Sequence, residues 1–133
     1  MASHDVTGGG RTTIHVDETG DDDGPAVLFV HGCTQSRLAW DRQLQSDLDD
    51  DFRLVAMDLR GHGDSERPTE AYDDPALWGD DVRAVIDELQ LDQPTLVGWS
   101  YGGLVMSDYF KTHGCRSICS SVRTMGPPWV REV

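Results

Sequence analysis

Basic side chains are scarce in this sequence. Lys and Arg together number 11 against 24 Asp and Glu, Lys occurs once, at Lys111, and the formal net charge is −13. A surface this acidic repels nucleic acid and anionic membranes, so neither is expected as a partner. The Asp-rich, Lys-poor composition favours a protein that stays hydrated in high salt, with an acidic protein from ordinary salt conditions as the alternative.

Long apolar runs and paired cysteines are missing as well. No run approaches the roughly 18 residues that cross a bilayer, and the chain does not open with a secretory signal, so we expect a cytoplasmic protein. Cys33, Cys115 and Cys119 form no Cys-x-x-Cys pair, which argues against a disulfide framework or a zinc ribbon. The 133 residues are enough for one domain of ordinary size.

The charge changes abruptly near residue 114. Residues 1–114 carry 8 basic and 23 acidic side chains, whereas residues 115–133 carry 3 and 1. We therefore predict a flexible N-terminal arm over residues 1–10, a folded region over residues 11–114, and an atypical, poorly ordered tail over residues 115–133.

The pattern of apolar residues predicts four strands. Residues 26–30, 52–57 and 95–97 are short apolar runs bounded by polar or turn residues, which is typical of buried parallel strands. Residues 11–16 alternate in part and predict an edge strand that pairs antiparallel.

Helical patterns fill the intervals between these strands. In residues 75–90 the apolar side chains fall on one face, with Asp74 placed as the N-cap and Pro94 beyond the end. Residues 35–48 and 101–112 are further helix candidates. The alternation predicts an α/β fold, a three-layer sandwich with a mostly parallel sheet and right-handed crossovers.

The sequence Gly-Trp-Ser-Tyr-Gly-Gly occupies residues 98–103, where a predicted strand passes into a predicted helix. A Gly-x-Ser-x-Gly pattern in this setting predicts a nucleophile elbow, a sharp turn that raises the serine hydroxyl above the sheet. Glycine is expected at 98 and 102 because a side chain there would collide with neighbouring backbone. Ser100 is therefore the candidate catalytic nucleophile.

Two other glycine-rich sites do not fit residues 98–103. A phosphate-binding loop ends in Gly-Lys-Ser or Gly-Lys-Thr, and a dinucleotide-binding turn has the pattern Gly-x-Gly-x-x-Gly after the first strand. Neither requirement is met, and we expect no cofactor.

The sequence His31-Gly32-Cys33 directly follows the strand at residues 26–30. Stabilising a tetrahedral oxyanion needs two donors from different segments, and the backbone N–H groups of Cys33 and Tyr101 are the candidates. We expect His31 to hold the loop by hydrogen bonds rather than to carry protons. We expect the Cys33 side chain to pack, with a nucleophilic or metal-binding role as the alternative.

Residues 58–65 read Asp-Leu-Arg-Gly-His-Gly-Asp-Ser and follow the strand at residues 52–57. Their glycines and short polar side chains predict a hydrogen-bonded structural turn beside the elbow. A metal site built from Asp58, His62 and Asp64 is the alternative, but no metal signature of fixed spacing matches.

Together, His-Gly-x with Trp40 downstream, the Asp-x-Arg-Gly-His-Gly-x-Ser turn and Gly-x-Ser-x-Gly-Gly resemble the α/β-hydrolase superfamily over residues 11–113. The sequence is most similar to its single-domain esterases and cofactor-free haloperoxidase-like (perhydrolase) enzymes. The resemblance implies Ser100 as nucleophile and the amides of Cys33 and Tyr101 as oxyanion hole, with no metal or organic cofactor. It argues against the dehalogenase and epoxide hydrolase branches, which have Asp at the position of Ser100.

The general base of such an enzyme is not identifiable. In this superfamily the acid and the histidine follow the nucleophile, but His113 would lie about 18 Å along the helix from Ser100 at about 1.5 Å per residue. We therefore expect the N-terminal half of a hydrolase, impaired by itself. Its sheet would end in an unpaired edge at residues 95–97, and its tail from about residue 115 would be out of frame or foreign to the family.

The predicted function is acyl transfer by a serine hydrolase on an ester-like small-molecule substrate. The alternative is a non-catalytic fragment that serves as a binding or assembly module, self-associating through the unpaired strand edge.

Overall fold

The computed structural model describes residues 1–114 and the backbone of a strand at Arg123–Met125. The strands are β1 (Ala2–Thr7), β2 (Thr13–Gly20), β3 (Ala26–Val30), β4 (Arg53–Met57), β5 (Thr95–Trp99) and β6 (Arg123–Met125). The helices are α1 (Asp41–Leu44), α2 (Pro75–Glu88) and α3 (Tyr101–His113), and 3₁₀ turns cover Gly9–Arg11, Arg37–Trp40 and Asp47–Asp50.

One sheet contains all of these strands, in the order β1-β2-β4-β3-β5-β6. β3 pairs in parallel with β4 and β5, and β5 pairs in parallel with β6. β2 is antiparallel to both β1 and β4. The predicted α/β fold with a mostly parallel sheet is confirmed. The carboxyl ends of β3, β4 and β5 lie at one edge of the sheet, so the loops that follow them are neighbours.

Two cores lie on opposite faces of the sheet. Leu28 and Val30 of β3 belong to the larger core, which they share with α2 and α3. Phe29 lies in the other core, with Trp40 and Leu44 from the helical turns after β3. Because successive side chains of a strand point to opposite faces, a strand covered on both sides must be apolar throughout. This explains the continuous apolar runs and gives the predicted three layers.

The helices agree with prediction except between β3 and β4. The Asp74 carboxylate accepts from the Ala76 N–H at 3.0 Å and caps α2 as expected. The predicted helix at residues 35–48 is replaced by short turns. The Ser46 hydroxyl accepts from the Leu48 N–H at 3.3 Å and begins a new turn there. Serine competes with the helical backbone in this way, which interrupts a continuous helix.

The predicted flexible arm is wrong for residues 2–7. They form β1, which pairs with β2 along its whole length, and Val6 is buried in the core. The edge strand on this side is therefore β1, and β2 lies inside the sheet rather than at its edge as we predicted for residues 11–16. Pairing across the turn at residues 8–12 stabilises the strand, and such pairing is not visible in a local pattern.

The unpaired edge predicted at residues 95–97 is also wrong, because Val97, Gly98 and Trp99 pair with β6. Self-association through a sheet edge stays a prediction, but the edge of β5 that was expected to be free is paired with β6. The rest of the tail predicted for residues 115–133 lies outside the described residues.

None of the helices in the described part of the chain is both long and apolar enough to span a bilayer.

Candidate active site

Ser100 lies at the junction of β5 and α3 in a strained turn. Its φ is +52° and its ψ −113°, a conformation that costs a non-glycine residue about 1–3 kcal/mol. The Ser100 carbonyl accepts from the Gly103 N–H at 3.0 Å, so the helix starts immediately after the turn. The side chain is exposed. An exposed hydroxyl therefore stands at the carboxyl edge of the sheet, on the N-terminus of a helix.

Two glycines allow the backbone to make this turn. A Cβ on Gly98 would lie 2.9 Å from the Gly103 nitrogen, and one on Gly102 would lie 2.7 Å from the His31 carbonyl oxygen. Both distances are shorter than real side chains tolerate, so the glycines are required by close packing. The second contact also shows that the turn at Ser100 packs directly against the end of β3.

The loop after β3 also packs against the turn at Ser100. A Cβ on Gly32 would lie 3.3 Å from the Trp99 carbonyl oxygen, one residue before Ser100. Burial raises the pKa of the Tyr101 hydroxyl, and the nearby Asp108 and Cys33 side chains raise it further. The loop that contains Cys33 and the turn that contains Ser100 and Tyr101 are therefore adjacent segments. The expectation that the Cys33 side chain packs is wrong, because the residue is exposed and its thiol is free.

His31 has the structural role that the sequence predicts. The residue is fully buried, and its Nε2 accepts from the Leu59 N–H at 3.0 Å. Its Nδ1 lies 2.7 Å from the Gly32 carbonyl oxygen, to which it donates. Burial lowers the pKa of His31 despite the bond to Gly32. The ring is therefore neutral and fixed in one tautomer.

The turn at residues 58–65 is held by Asp58. This buried carboxylate accepts from the Arg37 N–H at 2.7 Å, from the Arg37 Nη1 at 2.6 Å and from the Asp64 N–H at 2.9 Å. Arg37 Nη1 also lies 3.0 Å from Asp64 Oδ2, so a guanidinium lies where the alternative placed a metal ion. The structural turn is confirmed. Within the described residues no group of three or more His, Cys, Asp and Glu could hold a metal ion.

A buried ion pair that sequence reasoning missed supports the same turn. Arg60 of the turn makes two hydrogen bonds of 2.7 Å with Asp81, which lies on α2, and both side chains are fully buried. Arg60 also donates to the Gly9 carbonyl at 2.9 Å, and the Gly9 N–H donates to Asp81 at 2.8 Å. The pair connects the turn after β4 to α2 and to the turn after β1. An Arg followed by Gly after a buried strand was the only local signal.

No described histidine hydrogen-bonds the Ser100 hydroxyl. His113, at the far end of α3, lies 2.8 Å from Asp80 on α2. His4 and His15 pair with carboxylates of β1 and β2, and His31 and His62 bind backbone groups. Within the described residues, the turn of the candidate nucleophile therefore packs against the loop of a candidate oxyanion donor, and no histidine is bonded to Ser100.

Residues 25–132 match the family model described as the alpha/beta hydrolase fold. The chain belongs to the α/β-hydrolase family. It is 36% identical over 103 residues to the AB hydrolase superfamily protein YisY of Bacillus subtilis (strain 168), a match that covers 77% of this chain and 37% of that protein. It is 38% identical over 117 residues to the bifunctional esterase/perhydrolase DCH of Acinetobacter calcoaceticus, covering 86% of this chain and 41% of that protein.

Solved structures of the family agree with this fold. Esterase RhEst1 from Rhodococcus sp. ECU1013 superposes with a TM-score of 0.84 at 40% identity, over 89% of this chain and 43% of that one. Epoxide hydrolases and non-heme chloroperoxidases are also among the relatives of this α/β hydrolase. The chain spans less than half the length of each of these relatives, and the family match continues past residue 114, where the charge changes.

Proposed function

We propose that this chain carries the nucleophile of a serine hydrolase that acts by acyl transfer on ester-like small molecules. One observation carries the proposal: Ser100 is exposed in a left-handed turn at the N-terminus of α3, packed against the loop that contains Cys33. A strained serine at a helix start beside a loop of backbone donors is the arrangement that acyl transfer requires.

The chemistry follows from this placement. Ser100 Oγ attacks the carbonyl carbon of the substrate, and the oxygen that becomes negative accepts hydrogen bonds from the Cys33 and Tyr101 N–H groups. The positive end of the α3 dipole stabilises the same charge. The alcohol then leaves, and water hydrolyses the acyl-enzyme. Since no described histidine accepts the Ser100 proton, this chain alone is expected to keep only the contribution of the oxyanion hole and substrate binding, about 10³–10⁴-fold over water.

A hydroxyl at position 100 favours ester chemistry over the other activities found among the relatives. The resemblance associates epoxide hydrolases and dehalogenases with a carboxylate nucleophile, which forms an ester with the substrate carbon. Ser100 instead needs a carbonyl substrate with a leaving group. Location in the cytoplasm and tolerance of high salt stay predictions from the sequence.

The test is the reaction of the purified chain with a fluorophosphonate at mildly alkaline pH, where hydroxide can take the Ser100 proton. Mass spectrometry of the intact chain and of its peptides should show one adduct, on Ser100, formed faster in the native chain than in urea. Ser100→Ala should abolish it, and Ser107→Ala, a matched change on α3, should not. Equal rates in native and unfolded chain would contradict the proposal. Ester turnover at ordinary hydrolase rates, lost in Ser100→Ala, would refute the impairment.

A further inference from the structure

Two loops at the carboxyl edge of the sheet exchange hydrogen bonds through their histidines. The oxyanion loop comprises residues 31–35 after β3, and the arginine loop comprises residues 58–65 after β4. His31 of the oxyanion loop accepts at Nε2 from the Leu59 N–H of the arginine loop at 3.0 Å. His62 of the arginine loop accepts at Nε2 from the Thr34 N–H of the oxyanion loop at 3.2 Å. The two rings lie 5.2 Å apart.

The partners of the two rings define their protonation. In each ring Nε2 faces a backbone N–H, which can only donate. Nδ1 faces a carbonyl oxygen, that of Gly32 at 2.7 Å for His31 and that of Arg60 at 2.8 Å for His62. Each ring therefore accepts at Nε2 and donates at Nδ1. A second proton would place two donors against each other at Nε2.

These bonds act on the two peptide groups that flank the Cys33 α-carbon. The Gly32 carbonyl and the Cys33 N–H belong to one planar trans peptide, so the bond from His31 to the carbonyl also sets the direction of that N–H. The Thr34 N–H belongs to the next peptide, and His62 holds it. Thr34 itself has a φ of +64°, a strained value that the loop keeps only while its contacts hold.

We propose that His62 is a positioning residue for the oxyanion hole: together with His31 it clamps both peptides at Cys33, so that the Cys33 N–H points at the oxygen that becomes negative. The inference deepens the proposed function and rests on it. In this role His62 has no direct contact with substrate or nucleophile. It acts through the backbone of Thr34 and Cys33.

Two variants of the half-buried His62 separate this role from a general contribution to folding. His62→Phe keeps a ring of similar shape and removes both nitrogens, whereas His62→Gln keeps an acceptor near the position of Nε2. His113→Gln, which changes a histidine at the far end of α3, is the matched control. All are made in the full 133-residue chain.

The first measurement is amide hydrogen exchange at Thr34 and the ring tautomer of His62, both by ¹H–¹⁵N NMR. The wild-type ring should be protonated at Nδ1. The Thr34 amide should exchange at least about 10-fold faster in His62→Phe, since its hydrogen-bond partner is gone. His62→Gln should restore most of the protection, and His113→Gln should match the wild type. A ring protonated at Nε2, or unchanged exchange in His62→Phe, would overturn the proposal.

The second measurement is the rate of fluorophosphonate reaction at Ser100. Removing a whole oxyanion donor costs about 10²–10³-fold, so a misdirected Cys33 N–H should slow the reaction by about 10-fold in His62→Phe, with rescue in His62→Gln. Faster exchange with an unchanged rate would show that the clamp does not position the hole, which also overturns the proposal. If wild-type Ser100 is unreactive, the proposed function fails, whereas the exchange experiment still decides the bond to Thr34.

Discussion

The turn that carries Ser100 and the turn that carries Arg60 lie at the same edge of the sheet and are held by opposite kinds of interaction. Ser100 and Thr34 have positive φ and exposed side chains, and the described contacts around them are neutral hydrogen bonds and close backbone packing. Arg60 and Asp81 form a fully buried, two-point ion pair. Backbone strain is therefore present where chemistry is proposed, while the charged pair joins the turn after β4 to α2. A strained site needs such support to keep its conformation.

The largest expected effect comes from breaking the buried ion pair between Arg60 and Asp81. Arg60→Met leaves the Asp81 carboxylate buried without its partner, which should lower the free energy of unfolding by about 3–5 kcal/mol. Urea denaturation measures the loss. The double variant Arg60→Met, Asp81→Leu removes both charges and should recover much of it. A loss in the single variant below about 1 kcal/mol would mean that the pair does not support the fold.

A smaller loss of unfolding free energy is expected when the strained turn at Ser100 is displaced. In Gly102→Ala the new Cβ meets the carbonyls of Val30 and His31, so the turn must move away from β3. We expect a loss of about 1–3 kcal/mol in urea denaturation, together with slower fluorophosphonate reaction at Ser100.

Gly114→Ala is the control for that displacement. Gly114 has a φ of +71° and a ψ of 177°, and no described atom lies near its Cβ position, so alanine there meets the backbone penalty, about 1–3 kcal/mol. The reaction rate at Ser100 should not change in this variant. Equal rates in Gly102→Ala and Gly114→Ala would show that packing against β3 does not position the turn.

Releasing the strain at Ser100 should raise the free energy of unfolding rather than lower it. Ser100→Gly allows the left-handed turn without the steric penalty of a Cβ, so the free energy of unfolding should rise by about 1 kcal/mol while the reaction with fluorophosphonate is lost. Ser100→Ala removes the same hydroxyl and keeps the Cβ, so its stability should stay near that of the wild type. Thermal unfolding compares the three chains. Equal melting temperatures for the two variants would be evidence that the turn is not strained.

The smallest effect concerns the buried His31. Burial lowers the pKa of His31 in the folded state, so the unfolded chain takes up a proton first as the pH falls below about 6.5. Folding stability from this residue is present above that pH and decreases on acidification. Between pH 8 and pH 5 the melting temperature should therefore fall more steeply for the wild type than for His31→Gln, whose side chain does not titrate. Parallel curves would exclude His31 as the source.

The sequence predicted the turn at Ser100 better than it predicted the contacts that hold the loops around it. Apolar runs located β3, β4 and β5, and Gly-x-Ser-x-Gly located the turn, because both depend on steric demands of adjacent residues. β1 was missed because it depends on pairing with β2. Asp81 was missed because it stands beside Asp80 in a helix with many acidic residues, and its partner lies 21 residues earlier in the chain. Burial of a charge is decided by tertiary structure, which local patterns do not contain.

Cys33 illustrates the same limit at the site itself. Its position after His-Gly identified the backbone N–H as a candidate donor, since that depends on the loop following a strand. The orientation of its side chain depends on three loops at once, and the expectation that it packs was wrong. The reciprocal bonds of His31 and His62 likewise need both loops in place before they can be recognised.

The most direct test of the proposed oxyanion hole is the crystal structure of the chain after reaction with a fluorophosphonate. We predict a phosphorus atom bonded to Ser100 Oγ, with its oxygen accepting from the N–H groups of Cys33 and Tyr101 at about 2.7–3.1 Å. A phosphoryl oxygen turned toward solvent, or an adduct on a different side chain, would contradict it.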